Sequence, residues 1–79
     1  MNALSEYLIK LEVESPVFYI TVSQWLLREG EFARLVLEAY LHRYKSIHYK
    51  FPSNEHMVHW MEYDYDKLEA HVFEIITRD

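Results

Sequence analysis

His56 and His59 stand three residues apart and Glu62 follows after three more, so on a helix the three side chains rise from successive turns of one face. Two imidazoles and a carboxylate suit zinc or a non-haem iron, with His71, Glu38 or His42 as further donors from elsewhere in the chain. The motifs that would sharpen this reading do not occur: there is no paired Glu-x-x-His for a di-iron bundle and no His-Glu-x-x-His for a zinc protease. The alternative is an exposed polar helix face, and the spacing alone does not separate the two. Other chemistry is poorly served. The chain has no cysteine, which removes thiol catalysis and zinc-thiolate sites. Its five serines, Ser5, Ser15, Ser23, Ser46 and Ser53, carry no nucleophile motif, and a single glycine makes no phosphate-cradling loop. The sequence therefore reads as a non-enzyme with no cofactor.

A different signal dominates the last third. Val58, Met61, Tyr65, Leu68, Val72 and Ile75 alternate steps of three and four, a heptad seam by which one helix packs against another. This predicts association, with those six residues as a homodimer interface. Trp60 falls off the seam beside Met57, where it reads either as an exposed aromatic anchor for a protein partner or as core.

Charge is unevenly spread. The chain carries a formal −5, yet residues 42–50 hold Arg43, Lys45 and Lys50 with no acid, while residues 51–79 hold seven acids against Lys67 and Arg78. The basic aromatic segment has the composition of a strip that stacks bases, but three cations support only weak, salt-sensitive contact. It also suits the negative end of a helix followed by an aromatic connector. Arg43 and Lys45 are candidate contacts to a protein, or to the acidic fourth helix of a second copy. Direct nucleic-acid binding is not expected of an acidic chain. Glu62, Asp64, Asp66 and Glu69 instead offer a mimic of a phosphate backbone, one that would block a DNA- or RNA-binding protein.

The elements that position these residues follow from the helix breakers. One glycine and two prolines leave little for tight hairpins. Ser15-Pro16 reads as a cap and first helical position, Arg28-Glu29-Gly30 as a last turn and terminator, and Pro52-Ser53-Asn54-Glu55 as a third boundary. The expected order is a helix from about Leu4 to Glu14, a second from Pro16 to Glu29, a third from Glu31 to about Lys45, an irregular Ser46 to Pro52, and a long fourth helix from Asn54 to about Thr77. Leu4, Leu8 and Leu11, then Phe18, Val22, Trp25 and Leu26, should face the core. The third helix, apolar on more than one face from Phe32 to Tyr44, should be central. The rival is an α+β domain with an N-terminal hairpin, because Leu11-Glu-Val-Glu alternates and Val17 to Ser23 is rich in β-branched and aromatic residues.

The fold class is thus all-α, a single helical domain over residues 1–79. So short a chain builds a marginal core, and two Trp, seven Tyr and four Phe are more large rings than a monomer readily hides. A second chain is the expected remedy. No apolar run is long enough to span a membrane and no signal peptide is visible, so a cytoplasmic protein without membrane contact is expected. The functional expectation is a small protein-binding regulator, inhibitor or adaptor, with the acidic mimic and the helical metal binder as alternatives.

Overall fold

A computed structural model describes the backbone of residues 2–77 and the side chains of residues 2–74. It is all-α: α1 spans Ala3–Glu14, α2 Pro16–Glu29, α3 Glu31–His48, α4 Asn54–His59 and α5 Tyr65–Thr77, with a π-helical turn, Trp60–Asp64, joining the last two. No strand occurs among the described residues, so the segments proposed for a hairpin lie within α1 and α2.

Local chemistry sets most of the boundaries. The Asn2 side chain accepts the Ser5 N–H at 2.8 Å and starts α1, and the Glu38 carboxylate of α3 accepts the Leu4 N–H at 2.7 Å, so this helix start is also tied to the bundle. Pro16 opens α2, where its missing N–H costs nothing. Gly30 ends it at φ +92°, a conformation that a side chain would strain. Ser53 Oγ accepts the His56 N–H at 3.2 Å and caps α4.

The expected irregular segment from Ser46 to Pro52 is shorter than the sequence indicated, because α3 continues to His48. Ser46 returns its hydroxyl to the His42 carbonyl at 2.8 Å and stays helical. Termination falls to Tyr49, a non-glycine residue in the left-handed region at φ +59°, whose N–H donates to the Lys45 carbonyl at 2.8 Å.

Ala3, Leu4, Tyr7 and Leu11 of α1, Val22, Trp25 and Leu26 of α2, and Ala33, Leu37 and Leu41 of α3 form the core, closed by Met57, Trp60, Met61 and Tyr65. Helix α3 is central. Its outer side is barer than expected, since Phe32 and Leu35 remain 43% and 61% exposed. Tyr7, absent from the expected core, is fully buried and packs on Phe51 at 5.3 Å between ring centroids, while Leu8 is half-buried.

The Tyr7 hydroxyl is buried without a hydrogen-bond partner among the described residues. A lone buried hydroxyl carries its full desolvation cost, so Tyr7→Phe should leave stability unchanged or raise it by about 1 kcal/mol. Thermal unfolding checks this. A loss of that size instead would mean the hydroxyl is bonded in the folded protein.

Candidate binding surface

The fourth helical rod starts at the α1–α2 corner, where the Asn54 amide donates to Ser15 Oγ at 3.5 Å, and runs antiparallel to α3. Aromatic rings hold it there. Trp60 stacks on Tyr40 with centroids 4.6 Å apart and planes within 14°, and Trp25 meets Trp60 and Tyr65 edge-on at 6.0 and 5.0 Å. Tyr65 reaches the α2–α3 turn, its ring 6.4 Å from Phe32.

The π turn decides which residues face inward. Four residues of α-helix overshoot a full turn by about 40°, so Met57, Met61 and Tyr65 would drift around a regular helix. The wider turn absorbs that drift, and the Tyr65 N–H donates to the Trp60 carbonyl five residues back. The uniform heptad helix expected from the sequence is therefore interrupted, and its seam divides. Met61 and Tyr65 are buried inside the chain, joined by Met57 and Trp60, while Val58 turns to solvent at 37% exposure. Beyond Tyr65 the stripe continues as Leu68, exposed, and Val72, half-buried; the side chain of Ile75 lies outside the described residues.

This half of the seam has left the bundle. Helices of 14 and 18 residues are about 21 and 27 Å long, whereas the molecule measures 46 Å along its major axis and only 26 and 23 Å across. Helix α5 supplies the difference by projecting past the α2–α3 turn. Its first residue is held by the Tyr65 ring against Trp25 and Phe32, and the Tyr65 hydroxyl donates to Glu69 Oε2, one turn on in the same helix, at 2.9 Å.

Several candidate residues are placed elsewhere than expected. Met57 is fully buried and Trp60 is 7% exposed, so neither is an exposed anchor; the π turn and the stack on Tyr40 put them in the core. Lys45 is engaged within the chain. Its ammonium lies 2.6 Å from Glu6 Oε2 and 4.7 Å above the Phe51 ring, and the bond it donates holds the Glu6 carboxyl below its usual range. Arg43 is exposed and, with Lys50, makes no ion pair among the described residues.

The proposed metal ligands do not converge. His56 faces the Tyr44 ring at 5.9 Å, whereas His59 lies by Tyr63 at 5.0 Å with its Nε2 3.8 Å from Asp64 Oδ1, one turn from Glu62. Among the described residues no three His, Asp or Glu side chains form a group able to hold a metal. His56 and His59 both lie in the regular α4, yet one turns to Tyr44 and the other to Tyr63 and Asp64, and Glu62 falls within the π turn.

Elsewhere an open cleft of about 390 Å³ separates α2 from the rod, lined by Gln24, Arg28, Glu62 and Asp66 among others. Arg28 is paired with Glu29 at 3.2 Å, and no nucleophile with an adjacent base lines the cleft. The shifted phenols have structural causes. Burial raises Tyr7, Tyr40 and Tyr65, with Tyr7 also feeling Tyr40, Tyr40 feeling Tyr44, and Tyr65 held protonated by its bond to Glu69.

No described helix is long and apolar enough to cross a membrane. Comparison with protein-family models, with curated proteins and with solved structures finds no match, so the reading of this surface rests on its own geometry.

Proposed function

We propose that this protein acts by binding another protein chain, as a small regulator, inhibitor or adaptor, and that helix α5 is the contact element. The observation that supports this reading is the continuation of a buried core stripe, through Leu68 and Val72, onto a helix that runs beyond the bundle. Apolar residues aligned on one side of a projecting helix form the helix-in-groove arrangement by which amphipathic helices recognise partners.

The test is a photo-reactive amino acid placed at residue 72 in the cell. Irradiation should attach α5 to a protein, with no equivalent adduct from the exposed Lys10 position on α1. Absence of any protein adduct at residue 72 would remove the reading.

The acidic-mimic alternative draws on exposed Glu62 and Asp66, but the neighbouring acids are partly engaged, Asp64 with His59 and Glu69 with the Tyr65 hydroxyl. Salt separates the two. At about 1 M salt the Debye length is about 3 Å, so capture through an apolar stripe should persist while capture through a row of carboxylates should collapse.

A further inference from the structure

Independently of α5, we infer that the last turns of α3 hold a single nucleotide, its base seated in a notch beside Tyr44 and its phosphate at Arg43. Tyr40, Arg43, Tyr44, Ile47 and His48 line an open notch of about 210 Å³ there. That is below the roughly 300–1,000 Å³ of a site for a drug-sized molecule, so the notch takes one ring and leaves the rest of its ligand at the surface.

The walls are aromatic and already fixed. Tyr40 is locked by its stack on Trp60, and Tyr44 has ring neighbours in Tyr40 at 5.9 Å, His48 at 4.3 Å and His56 of α4 at 5.9 Å. Rings positioned in advance lose little freedom on binding, and every nucleobase presents a flat face to stack on them. Ile47 gives the notch an aliphatic edge and remains exposed.

Charge selects the class of ligand. Arg43 is exposed with no ion pair among the described residues, and no acid lines the notch. Asp64, whose charge acts on Tyr40, is turned to His59 at 3.8 Å. A guanidinium without a partner beside an aromatic notch suits a ligand that carries ring and anion in one molecule, and its planar fork matches phosphate with two parallel bonds. Neither half suffices alone. The α3 carbonyls end on this side, which disfavours a bare anion, and Arg43 stands more than a turn before that end, alongside the notch. Size and charge also favour one nucleotide over a strand: the notch admits a single base, and a chain of net charge −5 with Arg43 and Lys50 as its free cations here repels a long polyanion.

The probe is adenosine monophosphate, titrated into the full chain while the ring protons of Tyr40, Tyr44 and His48 are followed by NMR. Stacking should move these signals upfield and saturate with a Kd of about 1 mM or tighter. Adenosine should bind at least tenfold more weakly, and inorganic phosphate should leave the ring signals in place. Arg43→Ala should weaken binding at least tenfold. Ile47→Glu, at an exposed position where circular dichroism should stay helical, should abolish it by setting a carboxylate against the phosphate. Shifts that never saturate overturn the proposal, as does adenosine or phosphate alone binding as tightly as the monophosphate, or binding that survives both substitutions. A hexamer of the same nucleotide that binds more than about tenfold tighter through these residues would make the notch part of a strand-binding site, and overturns the choice of a single nucleotide.

Discussion

Trp60→Ala should cost about 3–5 kcal/mol of folding stability, the range for removing a large buried ring. A domain of this length holds roughly 4–12 kcal/mol in all, so this single change should leave a substantial unfolded fraction. Its effect is large because Trp60 is where the rod meets both α2 and α3: it stacks on Tyr40, and meets Trp25 and Tyr65 at 6.0 and 5.8 Å. Truncation would remove three ring contacts at once and leave a cavity in a core with no spare layer. Urea unfolding should show a lower midpoint at nearly unchanged slope. A shift under about 1 kcal/mol would contradict the burial of Trp60 and restore it as an exposed anchor.

The second large effect is alkaline unfolding. Tyr7 and Tyr65 are fully buried and their ionisation is pushed far above that of a free phenol, chiefly by desolvation. In the unfolded chain both lose their protons near pH 10, while in the folded protein they keep them. A raised folded-state pKa gives stability that is fully present below about pH 10 and is lost as pH rises toward the folded value. Each phenol should therefore remove up to about 1.4 kcal/mol per pH unit above pH 10. Tyr40, half-buried and raised in the same direction, adds a smaller share. Denaturant midpoints measured across that window should fall steeply, with tyrosinate absorbance appearing together with loss of helix. Tyr7→Phe should flatten the slope by one phenol's share. Tyrosinate forming before the helices melt would mean that the phenols reach solvent in the folded state.

The helices were legible from local chemistry. Ser15-Pro16, Gly30 and Ser53 mark boundaries through capping, proline geometry and positive φ, and each acts within a few residues of itself. That is why α2 has the boundaries its residues announce, and why the β-branched run from Val17 to Ser23 is helical despite its composition. Val22, Trp25 and Leu26 were recognisable as core for the same reason, since helical spacing puts them on one side.

The candidate site was less legible, and the misplaced residues share a cause. Trp60 and Met57 sit off the heptad, but the π turn re-phases the rod, and nothing within Trp60–Asp64 distinguishes a π turn from a regular one. In that phase Trp60 stacks on Tyr40 and Trp25 meets Tyr65 edge-on, contacts with α3 and α2 that lie far from the turn in sequence. Lys45 looked free beside Arg43 until Glu6, thirty-nine residues away in sequence, was brought to 2.6 Å. His56 and His59 share α4, but their neighbours differ, Tyr44 of α3 for the first and Tyr63 and Asp64 for the second. By itself, then, the sequence determined the all-α class, the order of the helices and the apolar stripe of the last one. Only the tertiary structure decided which half of that stripe is spent inside the chain and which half projects beyond it. Caps and breakers act through neighbouring backbone groups, whereas the phase of a long helix is set by the side chains it meets from distant parts of the chain.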